Sequence, residues 1–268
     1  MATQRGPEGG LLLDVRSVSL RYRNTSGGTL DTLRDVSLHV TTGEFVALIG
    51  PSGSGKTTLL SLIAGLEEPT SGEIGLHGDS QASRLGHVGY MPQRDLLLPW
   101  RSALDNAAAG LEARGAPNAE ARERARTLFQ QFGLAGFERS WPATLSGGMR
   151  QRVAFARAVL AGGELLLLDE PFGALDALTR QSLQRWLAEM CAALGLTCLL
   201  VTHDLDEALF LADRVYVLSE RPGRVLLERS VPASRLRTPD ALAAPEMVAL
   251  KSELRAALLG SQEGAAAQ

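Results

Sequence analysis

Lysine is nearly missing from this chain: of 27 basic residues only Lys56 and Lys251 are lysine, and arginine supplies the rest. Cysteine is almost as scarce. Cys191 and Cys198 cannot build a disulfide framework and match no metal-ligand spacing, so small buried residues of a reducing compartment are expected. Aromatics make up 5% of 268 residues and the formal net charge is -3, which leaves neither stacking platforms nor an electrostatic footprint for nucleic acid. No apolar run approaches the roughly 18 residues that span a bilayer, and "MATQRGPEGG" lacks the apolar core of a secretory leader. Any link to a membrane is therefore expected to run through a partner. The triplet Asn24-Thr25-Ser26 matches a glycosylation acceptor but carries no weight in a chain kept from that machinery.

What the chain has is 45% hydrophobic residues, enough for a sizeable core, arranged in two kinds of strand pattern. "LLLDVRSVSLRY" (11–22) and "LRDVSLHV" (33–40) alternate apolar and polar residues, predicting half-buried strands of an antiparallel sheet. "EFVALIG" (44–50), "HVGYMPQ" (87–93), "ELLLLDE" (164–170) and "TCLLVTH" (197–203) are short continuous apolar runs, as in parallel strands buried on both faces. Helix-period stretches at 56–66, 178–194 and 205–212 follow three of them, which predicts a doubly wound α/β core. Residues 94–162 read almost entirely as helix, with Asn118 as an N-cap and an apolar stripe at Leu128, Phe129 and Phe132. The expected organisation is a flexible N-terminus (1–10), a nucleotide-binding unit (11–233) with a helical subdomain inserted at about 94–162, a short helical extension (234–260) and a disordered tail (261–268).

Gly50-Pro51-Ser52-Gly53-Ser54-Gly55-Lys56-Thr57 fits the phosphate-loop pattern, follows a buried strand and opens a helix. Its glycines let backbone N–H groups surround an anion at a helix N-terminus. The rarity of lysine supports the same reading, because a phosphate loop needs a compact ammonium where a planar guanidinium would not fit. Thr57 offers a hydroxyl to Mg²⁺, and the strand ending in Asp169 delivers a carboxylate beside it. Glu170, one residue on, can address an attacking water. "LSGGMRQRVAFARA" (145–158) begins with a second seat of phosphate type, although Ser146 capping its own helix is the commoner use of such a stretch. Taken singly, Tyr22, Gln93 and His203 are ordinary edge, loop and core residues.

Taken together, Tyr22, the phosphate loop, Gln93, Leu145-Ser146-Gly147-Gly148, Leu168-Asp169-Glu170, Gly173-Ala174-Leu175-Asp176 and His203 follow in an order and spacing that resembles the ATP-binding subunits of ATP-binding-cassette transporters, over about residues 11–231. The resemblance implies a phosphate-loop NTPase core and a head-to-tail pair of chains, each ATP lying between one phosphate loop and the partner's Ser-Gly-Gly motif. It implies that Tyr22 stacks on adenine, that Lys56, Thr58 and the loop amides hold phosphates, and that Thr57, Gln93 and Asp169 serve Mg²⁺. Glu170 would be the general base, His203 would meet the γ-phosphate, and Asp176 would belong to the loop that crosses between chains. Met149 stands where many members have glutamine.

"MPQRDLLLPWRSALDNAAAGLEARG" (91–115) and "LSERPGRV" (218–225) look like the nitrate, sulfonate and taurine branch of importers. The implied partners are a second copy of the chain, transmembrane permease subunits and, indirectly, a solute-binding protein, at the cytoplasmic face of the inner membrane. The apolar run Leu96-Leu97-Leu98-Pro99-Trp100 is the expected permease contact, with Leu97 and Leu98 as its centre or, alternatively, as anchors of the insertion. A non-transport cassette ATPase acting on nucleic acid or ribosomes would call for a long coiled coil or a second cassette. A kinase or GTPase would leave residues 146–148 unexplained.

Overall fold

The computed structural model describes residues 10–23, 28–80, 83–232 and 238–266. Residues 1–9 of the expected flexible N-terminus (1–10) and the triplet Asn24-Thr25-Ser26 lie outside the described residues. Strands β1 (Leu11–Arg23) and β2 (Thr29–Thr41) pair antiparallel, then come β3 (Phe45–Ile49), helix α1 (Lys56–Ile63), β4 (Ser71–Leu76) and β5 (Val88–Met91). Helices α2 (Ala103–Ala113), α3 (Asn118–Gln131) and α4 (Gly147–Ala161) lie between β5 and β6 (Leu165–Asp169). The chain continues with α5 (Ala177–Leu194), β7 (Thr197–Thr202), α6 (Leu205–Leu211), β8 (Arg214–Leu218), β9 (Val225–Ser230) and α7 (Pro245–Ala266).

Among the described residues the strands form two sheets, β2-β1-β4 and β5-β6-β7-β3-β8-β9, the second parallel except for its antiparallel edge strand β9. β3, β6 and β7 are buried at every residue. Their alternate side chains serve two separate cores: Phe45, Ala47 and Ile49 of β3 pack with the helices, while Val46 and Leu48 pack with α1 and the antiparallel sheet. This is an α/β phosphate-loop NTPase architecture in which the carboxyl ends of β3, β6 and β7 converge, the place where doubly wound sheets bind ligands.

The helical segment is joined to the core by an aromatic cluster. Phe132, just past α3, packs 5.1 Å from Trp186 of α5 and 5.7 Å from Phe155 of α4, and Arg152 lies over the Trp186 ring. α2 approaches α4 so closely at Gly110 that a Cβ there would sit 2.3 Å from the Arg157 carbonyl oxygen.

Several expectations are corrected. Residues 94–102 and 132–146 are loops with one 3-10 turn at Pro142–Thr144 rather than helix. Asn118 is the first helical residue, behind Pro117, and does not cap. α7 continues through residue 266, so the segment 261–266 is helical rather than a disordered tail, and residues 267–268 lie outside the described ones. β4 and β8 escaped notice: β4 is a glycine-containing edge strand with its first half exposed, and β8 is a five-residue run directly behind α6. Cys191 and Cys198 are buried as expected, but the fold brings their Sγ atoms to 3.5 Å across α5 and β7. Among the described residues no helix is long and apolar enough to cross a membrane.

Candidate functional site

The loop after β3 turns through Gly53 and Gly55, both at positive φ, before α1 begins. At Gly55 a Cβ would lie 2.8 Å from a Leu33 methyl, so only glycine lets the loop close against the antiparallel sheet. Gly55 leaves α1 with no side-chain cap and no acidic residue in its first turn. Ser54 Oγ is buried without a partner, and Lys56 folds back so that Nζ donates to the carbonyls of Gly50 and Pro51, both at 2.8 Å. Uncapped N–H groups, an orphaned hydroxyl and a buried ammonium make a cradle suited to phosphate. Burial draws the Lys56 pKa down while the nearby Glu170 and Asp169 hold it up.

Across the cradle stands the end of β6. Asp169 is buried and accepts from Thr57 Oγ1 at 3.2 Å, and Tyr90 of β5 donates to its other oxygen at 3.4 Å. Burial raises the Asp169 pKa, a cost that a cation beside Thr57 would relieve. Among the described residues no three His, Cys, Asp or Glu side chains gather into a metal cage. Mg²⁺ needs none, because it takes one or two protein oxygens and keeps waters and substrate phosphates for the rest. The Thr57–Asp169 pair therefore fits Mg²⁺.

Glu170 leaves the strand at φ +44°, an uncommon conformation for a residue with a side chain. It is held there by its N–H on the Val201 carbonyl and by its own carbonyl, which accepts from Gly173. The result aims one carboxylate oxygen at two partners: Gln93 Nε2 donates to Oε2 at 3.2 Å and His203 Nδ1 lies 3.3 Å from it. Lys56, Thr57, Gln93, Asp169, Glu170 and His203 thus meet at one place, drawn from four separate stretches of sequence.

Residues 33–173 match the family model described as ABC transporter. The chain belongs to the ABC transporter family. An aliphatic sulfonates import ATP-binding protein of Rhodococcus jostii is 48% identical over 78% of this chain and 80% of its own length. A taurine import ATP-binding protein of Chromobacterium violaceum is 44% identical over 91% and 94%, and a formylaminopyrimidine import ATP-binding protein of Halalkalibacterium halodurans 42% over 92% and 96%. Among solved structures, an ATP-binding cassette in a dimeric post-hydrolysis state with ADP and phosphate superposes with a TM-score of 0.70 at 31% identity, over 83% of this chain and all of that one.

The rest of the ABC motif set lies outside that cluster. Ser146 caps α4, its Oγ accepting from the Met149 N–H at 3.3 Å, so the self-capping geometry is present. A hydroxyl that accepts from its own helix still has its proton to donate outward. Gly147 and Gly148 pack against Leu175 and Thr179, and the face formed by Ser146, Gly148, Met149 and Leu178 encloses an open cleft of about 390 Å³. Among the described residues no hydrogen bond or ion pair joins residues 146–148 to the phosphate loop. Asp176 is likewise occupied, capping α5 through the Thr179 N–H at 3.1 Å, which holds its carboxyl below the usual range.

Tyr22, half exposed at the end of β1, donates to Glu67 and meets Thr58 of α1; burial, then Glu67, pushes its hydroxyl up to about 12. In the apolar run after Gln93, Leu97 is buried in the core and Leu98 partly buried, while Leu96, Pro99 and Trp100 are exposed. Arg150 holds Asp95 at 3.1 Å, and Arg157 donates to the carbonyls of Asp95 and Leu96. The buried Asn106 donates to three backbone carbonyls of residues 98–102 and accepts from the Leu98 N–H. Sequence reasoning missed Tyr90, Asn106, Arg150 and Arg157. The only signal was a polar residue inside an otherwise apolar period, at Asn106 of α2 and at Arg150 and Arg157 of α4.

Proposed function

We propose that this chain is the ATP-hydrolysing subunit of an importer for a small anionic solute, of the nitrate, sulfonate and taurine type. It works as an ATP-sandwiching pair with a second copy of itself, against transmembrane permease subunits at the cytoplasmic face of the membrane. A solute-binding protein enters indirectly, and the solute is chosen by those other chains. The observation that carries the proposal is a division in the fold: the Thr57–Asp169 pair, the Glu170 carboxylate and the uncapped start of α1 converge, while the Ser146–Gly148 helix start lines a separate open cleft and shares no hydrogen bond with them among the described residues.

Mg²⁺, when bound, neutralises charge on the β- and γ-phosphates. Lys56 exchanges its two carbonyl partners for phosphate oxygens, aided by the backbone N–H groups of residues 52–58. Thr57, Asp169 and Gln93 would hold the metal, with Gln93 also serving the attacking water. Glu170 takes the proton of the attacking water on a carboxylate oxygen steadied by Gln93 and His203. Tyr22 stacks on adenine. Outward-facing donors at Ser146, Gly147 and Gly148 close on the partner's γ-phosphate, and Asp176 lies in the loop between the chains. Relatives named for import of sulfonates and taurine support the solute class.

Isolating the native complex from membranes and identifying its chains tests this reading. Two copies of this chain with permease subunits are expected. Co-purification with nucleic acid or ribosomes instead would replace it with the non-transport alternative.

A further inference from the structure

Behind His203 lies a buried carboxylate that hydrolysis itself does not use. Glu207, in the first turn of α6, is 5% exposed; its Oε2 accepts from Thr202 Oγ1 at 2.6 Å and its Oε1 from Gln184 Nε2 at 3.1 Å. Thr202 Oγ1 in turn accepts from the Asp204 N–H at 3.0 Å. His203 is therefore bracketed: the residue before it and the amide after it are both tied, through one hydroxyl, to Glu207. Asp204 completes the bracket by capping α6 on the N–H groups of Asp206 and Glu207.

The other end of the link is α5. Gln184 lies two turns from the start of that helix, whose first turn is fixed by Asp176. Arg180, between them, donates to the Leu175 carbonyl at 3.2 Å and keeps a buried Nε without a partner. Burial raises the Glu207 pKa, with Asp204 adding to it and Thr202, Gln184 and Arg180 opposing. A carboxylate kept in such surroundings is a poor device for stability, since an apolar side chain of similar size would fill the space without the desolvation cost. What it offers is direction, two hydrogen bonds of fixed geometry to two different elements.

We propose that Glu207 is a positioning residue that sets the His203 backbone by reference to α5, through Thr202 on one side and Gln184 on the other. The Gly173–Asp176 loop at the start of α5 and the Glu170–His203 pair then move as one, so that docking of a partner chain on the loop is felt at the water-facing carboxylate. The inference rests on the roles given above to Glu170 and His203, and extends them to a link that no sequence motif of the nucleotide site contains.

The test uses the full chain, with single-turnover ATP hydrolysis and ATP affinity measured separately for Glu207→Leu, Gln184→Leu and Glu207→Gln, each with and without His203→Ala. Glu207→Leu and Gln184→Leu are expected to slow hydrolysis about tenfold while the Kd for ATP stays within about twofold. Glu207→Gln should keep its rate, because its amide oxygen accepts from Thr202 and the Gln184 amide can turn to present oxygen. In the His203→Ala background, Glu207→Leu should add less than about twofold, because both changes act through one pathway. Equal losses in both backgrounds, or normal rates in the two leucine variants, overturn the proposal. If Glu207→Leu does not fold, Gln184→Leu carries the same comparison from a half-buried position. A wild-type rate in His203→Ala alone would instead overturn the role given to His203, so the two failures are told apart.

Discussion

Replacing Glu170 by glycine and by alanine separates its chemistry from its backbone. At φ +44° a residue with a Cβ bears about 1–2 kcal/mol of steric cost, which glycine does not. Glycine loses about 0.5–1 kcal/mol more than alanine in backbone entropy on folding. Both variants lose the same contacts to Gln93 and His203, so these cancel in the comparison. Glu170→Gly should therefore be the more stable of the two by about 0.5–1 kcal/mol, or about 1–4 °C in Tm for a chain of this size. Both should bind ATP and both should hydrolyse it about 10²–10⁴-fold more slowly, since neither can take the water's proton. Calorimetry and single-turnover hydrolysis on the same preparations read the two effects. An alanine variant as stable as the glycine variant would mean that the backbone carries no strain at this position. Near-normal turnover in either would remove Glu170 as the base.

Phe132→Ala empties the centre of the aromatic cluster and should cost about 3–5 kcal/mol in urea unfolding, while a cost below about 1 would show that the cluster is not the joint between helices and core. Leu97→Asp should destabilise the isolated chain by about 2 kcal/mol or more, whereas Leu96→Asp and Trp100→Asp should change it by less than about 0.5 yet release the permease; the reverse ranking would return the contact to Leu97. Glu207 holds its proton more tightly folded than unfolded, so its contribution to stability is complete below the ordinary carboxylate pKa and is lost as pH rises through the elevated folded value. Glu207→Gln should flatten that loss in unfolding measured from about pH 4 to 8, and an unchanged slope would assign the pH dependence to other groups.

The sequence was legible where a residue's role follows from its immediate neighbours in the chain. A continuous apolar run such as 165–168, too short for a helix, reads as a strand buried on both faces, and a glycine loop between such a strand and a helix has one common use. It was illegible where a role depends on packing between distant segments. Leu96, Leu97 and Leu98 are identical letters, and only the turn at Leu96, with φ +44°, decides that Leu97 goes inward and Leu96 outward. Tyr90 reads as a strand residue until β5 is laid beside β6 and its hydroxyl meets Asp169. Asn118 was misread because Pro117, with its fixed φ, already begins the turn that the asparagine was expected to cap.

One step remains between these half-sites and a working one, and a mixture of two damaged chains tests it. Within a single chain both phosphate seats are internally engaged: Lys56 is on its own loop carbonyls and Ser146 on its own helix. Suppose one chain carries Lys56→Ala and the other Ser146→Arg. If residues 146–148 served the ATP of their own chain, every site in a mixed dimer would hold one lesion, and mixing would restore nothing. If they serve the partner's ATP, the mixed dimer collects both lesions in one site and leaves the other with an intact Lys56 facing an intact Ser146. Trapped nucleotide should then return, to at most one site per dimer. Occupancy is the better readout than steady-state turnover, because the two sites can depend on each other, and Glu170→Gln in both chains slows hydrolysis enough to measure it. Mixed dimers purified through two different tags should hold clearly more nucleotide than either parent homodimer. Equal occupancy would mean that the Ser146 helix start does not reach across to a second chain.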